Sequence, residues 1–90
     1  MIIVSQDKGK IINFDNMTRV YITFDEDDDN VCIRTETVDS LYEDLGYYKT
    51  EARAKEVLGE IIELYMECNN DSYGAGFGYV ANAVFEMPAE

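Results

Sequence analysis

The stretch from residue 49 to about residue 69 constrains the fold more than any other part of the chain. Its apolar residues recur at intervals of three and four, the spacing that places side chains on one face of an α-helix. These residues are Ala54, Val57, Leu58, Ile61, Ile62, Tyr65 and Cys68. Thr50 can cap the helix, because its hydroxyl oxygen can accept a hydrogen bond from a first-turn amide. The sequence therefore predicts one long amphipathic helix.

Short apolar segments lie before this helix, and one follows it. Several of them alternate apolar and polar residues, as half-buried β-strands do, and turn-forming residues separate them. The predicted strands cover residues 2–4, 11–14, 18–24, 31–35, 44–48 and 79–85. Strands gathered before a single helix favour an α+β fold, with an antiparallel β-meander of about five to six strands and the helix packed on one face. A chain of 90 residues is expected to form a single domain, 1–90.

The charge of the chain restricts its partners. Nineteen acidic residues oppose seven basic ones, giving a formal charge of −12, and no basic residue follows Lys55. A surface of this sign repels nucleic acids and anionic membranes and attracts basic proteins. We therefore expect a basic protein as partner, and neither direct nucleic-acid binding nor membrane binding.

The cysteines and the hydropathy of the chain indicate where it acts. Cys32 and Cys68 lie inside apolar patterns without CxxC spacing, as reduced core thiols of a cytosolic protein do, and a disulfide is the alternative. No signal peptide is recognised, and no apolar stretch approaches the roughly 20 residues that a membrane span needs. We expect a cytoplasmic protein. A homodimer would stabilise so small a core.

Four glutamates follow one another along the helix at intervals of four, three and four residues. They are Glu56, Glu60, Glu63 and Glu67, and no lysine or arginine lies between them. Like charges at this spacing destabilise a helix. Either they are an ordinary solubilising surface, or they imitate a phosphate backbone and occupy a groove built for nucleic acid. The chain has no histidine, and the acids lie opposite the apolar face, so we do not expect an enzyme.

The densest negative charge is a predicted hairpin tip. It consists of Asp25, Glu26, Asp27, Asp28, Asp29 and Asn30. With Glu36 in twelfth position, the spacing approaches that of a calcium loop. However, a calcium loop lies between helices, and an extended segment 31–35 would carry Glu36 away from the aspartates. We therefore expect no metal site and no cofactor, and we assign these acids to a solvated tip or to a partner-binding surface.

A glycine-rich segment, residues 73–79, follows the predicted helix. Its GxGxG spacing is also found in phosphate loops, but such a loop follows a strand and opens a helix, whereas this segment has the reverse order. It is either a flexible loop or an aromatic partner-binding loop that uses Tyr73 and Phe77.

Three segments resemble a group of small uncharacterised proteins from Gram-positive bacteria and their prophages. These segments are MIIVSQDKGKIINFDN, LGYYKTEARAKEVLGEIIELY and VFEMP. In size and charge, the chain is also similar to acidic anti-CRISPR proteins and DNA mimics. The resemblance implies a phage-type inhibitor that occupies the basic nucleic-acid-binding surface of a host defence nuclease. The alternatives are an oligomeric phage protein that sequesters a small signalling molecule, and a structural or housekeeping interaction protein.

Overall fold

The computed structural model describes residues 1–24, 29–74 and 83–90, and the side chains of residues 68–74 are outside that description. Its elements are β1 (Ile2–Val4), β2 (Ile11–Asn13), a 3₁₀ helix (Phe14–Asn16), β3 (Arg19–Phe24), β4 (Val31–Glu36), β5 (Tyr42–Tyr48), α1 (Glu51–Gly74) and β6 (Val84–Glu86). The predicted α+β class, with strands gathered before one long helix, is confirmed.

The six strands form two sheets of three strands each. In the first sheet, β1 lies between β2 and β6, antiparallel to β2 and parallel to β6. The second sheet is an antiparallel meander in the order β3-β4-β5. The parallel pair is possible because the whole second sheet and α1 lie between β1 and β6 in the chain, and parallel neighbours need a long crossover connection.

The predicted strand boundaries are close to the observed ones, with two exceptions. β5 begins at Tyr42, so the loop before it is shorter than the sequence indicates. Of the last predicted strand, residues 79–85, the described part is β6 from Val84 to Glu86, and residues 75–82 lie outside the described residues.

The first hairpin is held by its own turn. The main-chain N–H of Ser5 donates to the carbonyl of Lys10 at 3.0 Å, and Lys8 has a φ of 61°. The Asp7 carboxylate accepts from the Ser5 hydroxyl at 2.6 Å and from the Gly9 N–H at 2.9 Å. These hydrogen bonds, first that of Ser5 and then that of Gly9, lower the pKa of Asp7.

Both sheets and the helix contribute to one hydrophobic core. The first sheet supplies Ile3 and Ile12, and β4 supplies Val31 and Ile33. The helix contributes the buried side chains of Ala54, Val57 and Ile61, all from the predicted apolar face. Ile62 and Tyr65 also belong to that predicted face but are exposed, because α1 packs on a sheet just three strands wide.

The start of α1 agrees with the sequence-based prediction, whereas its end does not. Thr50 caps the helix as predicted, since its Oγ1 accepts from the N–H of Arg53 at 3.1 Å. The helix continues to Gly74, beyond the end expected near residue 69. Residues 69–72 have low helix propensity, but propensity is a weak preference that backbone hydrogen bonding along the helix can override. None of the described helices has the length and apolarity required to cross a membrane.

Candidate functional site

The four glutamates of α1 lie together on one exposed side of the helix. At about 100° per residue, Glu56, Glu60, Glu63 and Glu67 project to the same side of the buried stripe formed by Ala54, Val57 and Ile61. We call this surface the acidic flank. All four side chains are exposed. A helix holds its side-chain origins in fixed positions, so the carboxylates form a row in which the spacing is set by the backbone.

The N-terminal half of the acidic flank is partly neutralised by Arg53, which the sequence analysis did not identify. The Nη1 of Arg53 lies 3.4 Å from Oε1 of Glu56 and 3.7 Å from Oε2 of Glu60. The sequence spacing could have predicted these ion pairs, because Arg53 precedes the two glutamates by three and seven residues, or about one and two helical turns.

The C-terminal half is different. In residues 1–24, 29–74 and 83–90, no lysine or arginine lies within ion-pair distance of Glu63 or Glu67. The uncompensated charge of the acidic flank is therefore concentrated on these two residues.

The predicted acidic hairpin tip is only partly described. Asp25, Glu26, Asp27 and Asp28 lie outside the described residues, and Asp29 is exposed. Glu36 lies at the end of β4 remote from the tip, where its carboxylate is 3.0 Å from Nη2 of Arg19 and accepts a hydrogen bond from the Tyr21 hydroxyl at 3.4 Å. The extended strand thus carries the proposed twelfth calcium ligand away from the tip. Within the described residues, no cluster of three or more acidic, cysteine or histidine side chains could hold a metal ion.

The predicted aromatic loop falls largely outside the description. Tyr73 belongs to the last turn of α1, but its side chain is not among those described, and Phe77 lies beyond the described residues. Its use for binding stays a prediction from the sequence.

The outer face of the second sheet carries alternating arginine and tyrosine side chains, an arrangement that the sequence analysis missed. The guanidinium carbon of Arg34 lies 4.2 Å from the ring centroid of Tyr42, and that of Arg19 lies 4.7 Å from the ring centroid of Tyr21. Both distances are typical of cation–π contacts. The sequence could have predicted this arrangement, because side chains alternate between the two faces of a strand and this alternation places these residues on one face.

The cations of this face are already paired. The Nε of Arg34 donates to Oδ1 of Asp44 at 2.6 Å, and the Tyr47 hydroxyl donates to Oδ2 of the same carboxylate at 2.6 Å. Burial raises the pKa of Asp44, but the hydrogen bonds from Arg34 and Tyr47 outweigh it, and the net pKa lies below its usual value. The bond to Asp44 also raises the pKa of Tyr47. This face therefore offers no free guanidinium for a phosphate.

Cys32 lies beneath this outer face and is 1% exposed. Burial is the main reason that the pKa of its thiol is raised, to about 11. The side chain is consequently a neutral thiol near pH 7 and a poor nucleophile. This agrees with the predicted reduced core thiol, whereas the side chain of Cys68 is outside the description.

Two open clefts of similar size border the helix. One, of about 360 Å³, lies between α1 and the start of β3, and its apolar lining includes Phe14, Met17 and Ile62. The other, of about 350 Å³, lies near the start of α1 and contains Lys49 and Arg53. Arg53 is already bound there, because its Nε donates to the carbonyl of Glu90 at 2.9 Å.

Comparison with protein-family models, with curated proteins and with solved structures found no match to this chain.

Proposed function

We propose that this chain is a non-catalytic binding protein that uses the acidic flank of α1 to dock on a basic surface of another protein. The observation that supports this most strongly is the exposed pair Glu63 and Glu67, which has no compensating cation in the described part of the chain. Two more carboxylates continue the row toward the start of the helix. Retaining like charges at this spacing destabilises α1, so the row is expected to contribute to binding.

The proposed contact is driven by electrostatic attraction between preorganised charges. The backbone of α1 fixes the points at which the glutamate side chains are attached. Little backbone entropy is therefore lost when a basic surface binds them. The net charge of −12 adds long-range attraction, which speeds encounter with a positively charged partner. Such attraction between exposed charges is screened within about 8 Å at physiological ionic strength, so binding should weaken as salt is added.

The most concrete target is the nucleic-acid-binding site of a host defence nuclease. Four residues of helix advance by about 6 Å, a distance of the same order as the spacing of phosphates along a nucleic acid. A groove that accepts phosphates can therefore accept this row of carboxylates. The similarity in size and charge to acidic anti-CRISPR proteins and DNA mimics supports the same target.

Competition with nucleic acid tests this proposal. The chain is immobilised, proteins from a bacterial lysate are captured on it at low salt, and the column is washed with duplex DNA or with an uncharged polymer. We expect DNA, but not the uncharged polymer, to release the captured protein. A partner that binds duplex DNA and the immobilised chain at the same time would contradict the proposed target.

A matched pair of variants separates the acidic flank from net charge. Glu63→Gln with Glu67→Gln removes two charges from the acidic flank. Glu51→Gln with Glu43→Gln removes two charges elsewhere, each from an exposed ion pair, with Lys55 and Lys10 respectively. We expect the first double variant to lose capture and the second to retain it.

A further inference from the structure

The side of α1 away from the acidic flank is apolar and open. Ile62, Tyr65 and Met66 are 49%, 42% and 56% exposed. They are neighbours at the i, i+3 and i+4 positions. On the side of α1 that faces the sheet, the buried stripe lies between them and the glutamates, whereas on the solvent side Met66 is the i+3 neighbour of Glu63. We call this surface the apolar flank. Isolated exposed apolar residues are ordinary, but three adjacent ones beside a cleft indicate an interaction surface.

Next to the apolar flank lies the edge strand of the second sheet. No strand in the described part of the chain pairs with the outer side of β3, and its six residues pair with β4 without a register shift. An edge strand of this kind presents unpaired N–H and C=O groups at every second residue and can accept another strand. Phe24, the last residue of β3, is 60% exposed.

We propose that β3 of a second copy of this chain pairs antiparallel with β3, about a two-fold axis at Ile22, to give a continuous six-stranded sheet. A two-fold axis perpendicular to the sheet does not exchange the two faces of the sheet, so the helix-facing residues of both copies lie on the same side. In this register, Ile22 lies opposite its own copy, and Val20 lies opposite Phe24 of the second copy. A register centred on Tyr21 would leave Phe24 opposite Thr18.

The apolar flanks of the two copies meet above the joined strands. α1 packs across the second sheet, in which β4 is the middle strand. The two β4 strands of the dimer would be separated by three strand spacings, about 14 Å, which exceeds the roughly 8–10 Å of helices in direct contact. Ile62, Tyr65 and Met66 from both copies can fill that gap, and the cleft of about 360 Å³ that Ile62 and Tyr65 line in each copy provides room for side chains of the other copy.

Charge favours a second copy on this side of the molecule. Each chain carries −12, so two copies repel one another wherever their carboxylates meet. The apolar flank has no carboxylate among its members, and Asp15, which lines the adjacent cleft, lies 3.5 Å from the N-terminal ammonium that compensates it. In the proposed dimer the acidic flanks lie on the two outer sides, away from the axis. The dimer therefore buries apolar surface and leaves Glu63 and Glu67 free for a basic partner.

Sedimentation equilibrium of the full chain tests the proposal. We expect a mass of twice 10.3 kDa, with association that strengthens as salt screens the repulsion between copies. Ile62→Lys and Met66→Lys should each raise the dimer dissociation constant by at least about a hundredfold, because a lysine would be desolvated at the axis. Leu41→Lys, at an exposed site away from β3 and α1, is the matched control and should leave the mass unchanged.

Far-UV circular dichroism of each variant checks that it folds. We expect the variants to fold, because the replaced side chains are about half exposed in the monomer. Amide hydrogen exchange of the parent tests the strand pairing itself, because amides on the outer edge of β3 should exchange more slowly as protein concentration rises. A parent chain that is monomeric at every concentration, and so leaves the face to another partner, would overturn the proposal. So would a dimer that either lysine variant leaves intact, or one in which exchange from β3 is independent of concentration.

Discussion

The side-chain amide of Gln6 pairs with the main chain of Tyr47 as a neighbouring strand would. Its Oε1 accepts from the N–H of Tyr47 at 2.7 Å, and its Nε2 donates to the carbonyl of Tyr47 at 2.8 Å. The backbone N–H of Gln6 also donates to the carbonyl of Leu45 at 2.8 Å. Since Gln6 follows β1 and Tyr47 belongs to β5, this residue joins the two sheets.

Replacing Gln6 should weaken that junction. Gln6→Ala removes both side-chain bonds to Tyr47, together with bonds from Nε2 to the carbonyls of Ala89 at 2.9 Å and Pro88 at 3.3 Å. We expect the free energy of unfolding to fall by about 1–3 kcal/mol, as measured by urea denaturation. Lys8→Ala is the control, because it removes an exposed ion pair to Glu86 that should contribute at most about 1 kcal/mol. Equal effects of the two substitutions would show that the Gln6 bonds do not support the junction.

Gly46 lies at the same junction and explains why the sheets approach so closely. A Cβ at this position would lie 3.0 Å from Cβ of Gln6 and 3.1 Å from the hydroxyl oxygen of Tyr48. Any larger residue would push Gln6 away from β5.

Asp44 should contribute to stability through its bonds to Arg34 and Tyr47. Asp44→Asn weakens two short charge-assisted hydrogen bonds, and we expect a loss of about 1.5–3 kcal/mol in the free energy of unfolding. Glu43→Gln is the control at the neighbouring position, where an exposed ion pair to Lys10 at 2.9 Å should contribute at most about 1 kcal/mol. A loss no larger than that of the control would contradict this role.

The same bonds predict a pH dependence with a definite sign. Because the pKa of Asp44 is lower in the folded chain than the unperturbed value of 3.8, its stabilisation is present above that value. It is lost as the pH falls through the unperturbed value toward the folded one. Urea denaturation at a series of pH values should therefore show that the parent loses more stability below about pH 4 than Asp44→Asn does. Parallel profiles would contradict the assignment.

Cys32 should resist thiol reagents until the chain unfolds. Its burial and its raised pKa of about 11 leave little thiolate near pH 8 and little access for a reagent. In a Cys68→Ser background, we expect an absorbance assay with a chromogenic disulfide to report slow labelling of the native chain and rapid labelling in urea. Equally rapid labelling in both conditions would show that the outer face of the second sheet does not cover Cys32.

Local patterns were sufficient to predict the helix, its cap and most of the strands. The cap at Thr50 and the apolar face of Ala54, Val57 and Ile61 depend only on residues that are close together in the sequence, so the sequence alone predicts them. The pairing of β6 with β1 was not predictable in this way, because three residues such as Val84–Glu86 carry little pattern, and their partner is about 80 residues away. The division into two sheets therefore had to come from the structure.

The candidate site divides in the same manner. The glutamate row is a property of one helix and was predicted, whereas the compensation of Glu56 and Glu60 by Arg53 depends on side-chain reach. The bond between Arg34 and Asp44 also depends on the register shift between β4 and β5, which alternation alone does not reveal.

The most direct test of the central claim is the dissociation constant of the captured partner for Glu63→Gln with Glu67→Gln, measured by calorimetry at low and high salt. Removing two exposed charges from the contact should weaken binding by about tenfold or more at low salt and reduce its salt dependence, while the double variant of Glu51 and Glu43 should bind like the parent. If the acidic-flank variant binds as tightly as the parent and with the same salt dependence, the acidic flank of α1 is not the binding surface.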